Sequence, residues 1–227
     1  MHSFNIDTST PQARRQAYRE SIFKHWALWR RMVPNFHVVD EGKAYRSAQC
    51  TPASYRSFIE KYGIKTVFNF RGMQPDCRLL ALEAQLCEEM GVELVHLKLQ
   101  SRDIPQAQQI RTLHELLTKA EYPILIHCKG GADRAGLVST LYQHWVEGRK
   151  VEDCNQLRLF PYQHFSTGKT GLIDYYFQSY VEYTQEEEAP LPLLEWTEQV
   201  MDRKALKANF QSKPLTNFIV DQVLRRE

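Results

Sequence analysis

At 227 residues, with 43% apolar and 25% charged side chains and a formal charge of +2, the chain can build one catalytic core with some decoration and has no overall attraction for nucleic acid. Five scattered cysteines, Cys50, Cys77, Cys87, Cys128 and Cys154, form no C-x-x-C pair, which argues against a disulfide framework or structural zinc and for a reducing compartment. No stretch approaches the roughly 20 apolar residues of a spanning helix, and neither a signal-peptide core nor a lipidation signal is visible, so a soluble, cytoplasmic protein is expected.

Residues 12 to 32 place Tyr18, Ile22, Trp26 and Trp29, with Val33 just beyond, at helical spacing among Arg14, Arg15, Arg19, Lys24, Arg30 and Arg31. This predicts a basic amphipathic helix ended by Pro34, laid on the catalytic domain or, as the alternative, making peripheral contact with a membrane surface. Phe36–Val39 and Lys43–Ser47 flank the turn Asp40-Glu41-Gly42 and predict a hairpin. Thr51-Pro52 opens a helix to Tyr62, stopped by Gly63. Ile64–Phe70 is β-branched and aromatic, a polar helix follows over 76–90, and Val92–Leu99 alternates as a strand does. Pro105 introduces a helix to about Ala120, Tyr122–His127 is a short buried strand, and a helix over 134–147 comes after a glycine loop. The repeated β-α order predicts an α/β fold: a central, mostly parallel sheet of four or five strands with helices on both faces. Beyond Gly148 the chain reads as helical, over 152–160, 170–183, 193–201 and 215–226. The domain division is then residues 1–35 as the N-terminal helix, 36–183 as the catalytic domain and 184–227 as a helical extension.

The chemistry sits in His127-Cys128-Lys129-Gly130-Gly131-Ala132-Asp133-Arg134. A strand feeding a glycine loop and then a helix brings several backbone N–H groups together where the helix begins, which makes an anion cradle. Gly130 and Gly131 permit close backbone approach, and Gly136 is expected to let the helix sit near the sheet. Helix-terminal N–H groups and a guanidinium favour a thiolate, so Cys128 is the candidate nucleophile. Arg134 can hold two phosphoryl oxygens in its planar fork, a geometry lysine cannot match. His127 is expected to orient the loop, and Lys129 adds positive charge beside the nucleophile.

His127 to Gly136 resembles the signature of the protein tyrosine and dual-specificity phosphatase superfamily. Together with Tyr45-Arg46-Ser47-Ala48-Gln49 and Phe68-Asn69-Phe70-Arg71-Gly72, it resembles the bacterial atypical dual-specificity phosphatases over about residues 36 to 183. The resemblance implies a cysteine-phosphatase fold and a metal-free, cofactor-free two-step reaction: attack by Cys128, then hydrolysis of the thiophosphate. An aspartic acid would protonate the leaving oxygen. Asp103, after the strand ending at Leu99, is the candidate, against the alternative that it caps the following helix; Asp76 and Asp133 are rivals. Asp133 lies inside the cradle and is expected to orient Arg134; its charge would also repel a phosphate dianion unless it were paired.

The family usually has serine or threonine directly after the arginine, and this chain has Ala135. That departure keeps a weakly active phosphate-binding module as an alternative, and a sulfurtransferase is a third reading. Arg71, at the C-terminal edge of its strand, and Arg46 are candidates either for contact with a second anionic group or for structural salt bridges. His164 and Lys169, in a glycine-punctuated segment, are candidates for positioning water or substrate, against a plain interhelical loop. The expected partner is a phosphorylated protein or small-molecule substrate, with inositol-phosphate or phospholipid hydrolysis as the alternative.

Overall fold

The computed structural model describes residues 4–25 and 34–210, the side chains of 22–25 apart. The helix predicted over 215–226 and the residues Trp26, Trp29, Arg30, Arg31 and Val33 lie outside the described residues, as do the side chains of Ile22 and Lys24. The described chain divides into two compact units, one of residues up to 98 together with 120–131, the other of 99–119 together with 132 onward.

The first unit holds α1 (Pro11–His25), β1 (His37–Asp40), β2 (Ala44–Ala48), α2 (Pro52–Tyr62), β3 (Thr66–Asn69), α3 (Arg78–Met90), β4 (Glu93–His96) and β5 (Ile124–Cys128). The five strands form one sheet in the order β1-β2-β5-β3-β4. Only the β1–β2 hairpin is antiparallel; β5 runs parallel to β2 and β3, and β4 parallel to β3. Expected chain punctuation is present: Thr51 accepts from the Ser54 N–H, and Gly63 and Gly91 end α2 and α3 in the left-handed conformation. Tyr45, Tyr55, Ile59, Ile64, Val67, Leu86, Leu94 and Leu125 form a continuous buried cluster between the sheet and α2 and α3. Each such side chain contributes roughly 1.5 to 3 kcal/mol by leaving water.

α1 packs on α3. The small residues Ala17 and Ser21 are buried, one turn apart, while Tyr18 is only half-buried. Ion pairs flank them, Arg14 with Glu89 at 3.3 Å and Glu20 with Arg78 at 2.6 Å. Close approach of small side chains, with charge pairing at the rim, makes this contact. No helix among the described residues is long and apolar enough to cross a membrane.

The second unit holds α4 (Ala107–Lys119), α5 (Asp133–Trp145), α6 (Leu172–Glu186), α7 (Leu193–Gln199) and α8 (Arg203–Asn209), with single 3-10 turns at Val151–Asp153 and Lys169–Gly171. α5 is buried almost all round, in keeping with its weak segregation of apolar and polar faces. Tyr176, Tyr180 and Tyr183 of α6 ring Trp196 of α7, and the Tyr176 and Thr197 hydroxyls lie 2.7 Å apart. Two expectations are corrected here. The helix predicted over 152–160 is only the turn at Val151–Asp153, because the irregular chain beyond presses onto α5: a Cβ at Gly136 would stand 2.6 Å from Leu157 Cδ2 and 2.9 Å from the Gln156 carbonyl oxygen. Gly136 therefore makes room for this segment. α8 was not foreseen, although Asp202 caps it by accepting from the Lys204 and Ala205 N–H groups.

Candidate active site

The parallel register brings the ends of three strands to one edge of the sheet: Ala48 of β2 stands beside Cys128, and Asn69 of β3 beside His127. Open α/β sheets bind ligands at this edge. Here four successive loop carbonyls are held by donors. The Gln49 N–H is shared between the carbonyls of Cys128, at 2.8 Å, and Lys129, at 3.3 Å. Asn35 Nδ2 donates to the Gly130 carbonyl at 2.9 Å, and Arg46 Nη2 to the Gly131 carbonyl at 2.8 Å. In a planar trans peptide the N–H points away from its C=O. Four anchored carbonyls therefore turn the N–H groups of residues 129 to 132 the opposite way, as an anion-binding nest requires.

Gly131 makes this shape available. Its φ is +70°, and a Cβ there would lie 2.5 Å from the Ala48 nitrogen and 2.6 Å from the Ser47 carbonyl carbon. Cys128 is buried at the head of the loop. Behind it His127 is fully buried, its Nε2 2.7 Å from Glu83 Oε1 in a contact too poorly aligned for a full hydrogen bond. Gln49 Nε2 reaches the other Glu83 oxygen at 3.3 Å, and the Tyr55 ring meets the imidazole edge-on. A buried carboxylate without partners would be costly, so Glu83, Gln49 and His127 form one interdependent group.

Arg46 is corrected from a candidate substrate contact to a loop anchor: its side chain is fully buried and committed to Gly131. Arg71 is half-buried and bonds to Gln49 Oε1, to Gln74 Oε1 at 2.9 Å and to the Cys77 sulfur at 3.7 Å. None of these is a carboxylate, so no ion pair among the described residues cancels its charge. The rival acid Asp76 is exposed and accepts from Asn5 Nδ2 at 2.8 Å.

In the second unit Asp133 opens α5, followed by half-buried Arg134 and fully buried Ala135. His164 is corrected from a candidate for handling water or substrate, because its ring is buried between two carboxylates. Nδ1 lies 2.7 Å from Asp133 Oδ1, and Nε2 lies 2.6 Å from Asp174 Oδ2. Burial alone would lower its pKa, but the two carboxylates outweigh burial and raise it from 6.5 to about 9. The Asp133 carboxylate is thus paired with His164. Lys169 is exposed on the 3-10 turn.

The raised pKa of His164 has a thermodynamic consequence. A folded-state pKa above the unfolded one contributes stability that is complete below about pH 6.5 and is lost as pH rises through about 9. The expected result is a fall in unfolding free energy over that window, on the order of 3 kcal/mol, that disappears in His164→Gln. Denaturant titrations between pH 6 and 10 check it; parallel pH profiles for the two proteins would show that His164 is not the group responsible.

Asp103 precedes α4, with its carboxylate 2.5 Å from Arg203 Nη2 and 3.1 Å from Lys207 Nζ. Asn35, Gln49 and Glu83 were not assigned roles from sequence. Gln49 lay inside a segment singled out for resemblance, whereas Asn35 and Glu83 carry no local signal.

A family model described as "DSP-PTPase phosphatase fused to NAD+ Kinase" matches residues 24–172. A curated protein of Mycosarcoma maydis named "Putative tyrosine-protein phosphatase OCA1" is 33% identical over 110 residues, which cover 46% of this chain and 66% of that protein. The chain thus spans just under two thirds of that relative's length. The crystal structure of TpbA from P. aeruginosa superposes with a TM-score of 0.52 at 20% identity, covering 65% of this chain and 86% of that one. This likeness establishes a shared fold.

Proposed function

The chain belongs to the family described as DSP-PTPase phosphatase fused to NAD+ kinase, and from that membership we propose that it hydrolyses phosphate monoesters through a covalent intermediate on Cys128. The observation that supports this reading is the row of four anchored carbonyls from Cys128 to Gly131, which turns backbone N–H groups into a preformed anion cradle.

In the first step the Cys128 thiolate attacks phosphorus, the P–O bond to the leaving group breaks, and Asp103 gives the departing oxygen its proton. Lys129, Gly130, Gly131, Ala132 and Asp133 contribute backbone N–H groups, and Arg134 holds two equatorial oxygens. In the second step water attacks the phosphocysteine, Asp103 takes a proton from that water, and the thiolate leaves. The substrates are phosphotyrosine, phosphoserine or phosphothreonine in proteins, or a small phosphorylated metabolite.

Acid quenching during turnover of a radiolabelled aryl phosphate is expected to leave label on the peptide containing Cys128. Continued turnover with no trapped label would remove the covalent step. The uncancelled charge of Arg71 favours a second reading, a substrate with a further anionic group such as an inositol phosphate or a phosphoinositide headgroup. Phosphate release compared across phosphopeptides, sugar phosphates, inositol phosphates and phosphoinositide vesicles separates the two.

A further inference from the structure

Asp103 is gripped by a helix that lies beyond residues 24–172, the stretch matched by the family model. Both carboxylate oxygens are occupied. Oδ2 is 2.5 Å from Arg203 Nη2, while Oδ1 is 3.1 Å from Lys207 Nζ and accepts from the Ile104 N–H at 2.8 Å. Arg203 also donates from Nε to the Ile104 carbonyl at 2.8 Å, so one guanidinium holds the side chain and the backbone of the same loop. Arg203 and Lys207 stand four residues apart on α8 and so share a face.

We propose that Arg203 and Lys207 form a latch that withholds Asp103 from proton transfer, so that α8 gates the first chemical step. The proposal rests on the reading of Asp103 as the acid. A carboxylate held on both oxygens is not free to reach a leaving group, and must first leave Arg203. The pairs are partly solvated, with Arg203 and Lys207 side chains 32% and 43% exposed. Such pairs are weak enough to open reversibly. When latched, the enzyme is restricted to substrates whose leaving groups depart without a proton; when unlatched, it also handles alkyl phosphates.

The test compares wild type, Arg203→Gln/Lys207→Gln, Asp103→Asn and the triple variant on an alkyl phosphate and a nitrophenyl phosphate. Glutamine keeps much of each apolar stem, so the packing of α8 is largely preserved. The double variant is expected to raise kcat on the alkyl phosphate by roughly three- to tenfold, the scale of two part-exposed ion pairs. It should leave the nitrophenyl rate within about twofold, and the triple variant should lose the gain. Amide hydrogen exchange over residues 101–104 should quicken in the double variant. A fall in the alkyl rate, or unchanged exchange, would overturn the latch. An Asp103→Asn variant indifferent to the leaving group would instead remove the acid assignment, a separate failure visible without any change on α8.

Discussion

Cys128→Ser is expected to abolish hydrolysis of a generic aryl phosphate, by about 10⁴-fold or more, the scale on which deleting a nucleophile from a cooperative catalytic group acts. Binding of phosphate or vanadate should survive, because the cradle is made of backbone N–H groups whose orientation depends on Gln49, Asn35 and Arg46. The hydroxyl fits where the thiol sat, but it lacks the thiol's acidity and cannot form the covalent intermediate at neutral pH. Steady-state rates and vanadate titration by calorimetry check both halves. Retained hydrolysis would remove the nucleophile assignment, and lost vanadate binding would show that the sulfur itself shapes the cradle.

Gly131→Ala should be almost as damaging for a different reason. The new Cβ would sit 2.5 Å from the Ala48 nitrogen, 2.6 Å from the Ser47 carbonyl carbon and 2.8 Å from its oxygen, on a residue whose φ is +70°. The obstructing atoms are the backbone of β2, paired in the sheet with β5, and cannot swing aside as a side-chain tip could. The loop must shift, and the Gly131 carbonyl with it. That would strip fully buried Arg46 of the Gly131 carbonyl, and a buried charge that loses a hydrogen-bond partner is costly. The expected outcome is a loss in kcat/KM of at least about 10²-fold and of roughly 2 to 4 kcal/mol in stability. Denaturation midpoints and kinetics measure these; near-normal values for both would mean that the loop does not rest against β2 as described.

The parts of this molecule written in neighbouring residues were legible. Thr51-Pro52, Gly63 and Gly91 punctuate helices through local backbone chemistry, and the strand, loop and helix around Cys128 are contiguous. What escaped depends on residues far apart in the chain. Arg46 was noticed for its position, but its partner is a carbonyl 85 residues away, and nothing in Tyr-Arg-Ser announces that. His164 drew attention as a polar residue in a loop, yet its behaviour comes from Asp133 and Asp174, which flank it only after folding. Glu83 lies in a helix whose sequence reads as polar, and only folding puts His127, 44 residues on, beside it. The grip of Arg203 on Asp103 spans 100 residues. In α1 the buried Ala17 and Ser21 were not singled out by apolar spacing, because small side chains carry no such signal.

The anchoring of the loop carbonyls also bears on how genetic variation in such chains should be interpreted. Eight consecutive letters from His127 to Arg134 advertise an enzyme, but two of the carbonyls among them are held by the side chains of Asn35 and Arg46, both far upstream. A natural variant altered at either would pass any inspection of the signature and still hold a misdirected row of amides. Silent loss of activity in relatives of this chain is therefore to be sought first at these upstream positions, where the eight-letter signature has nothing to say.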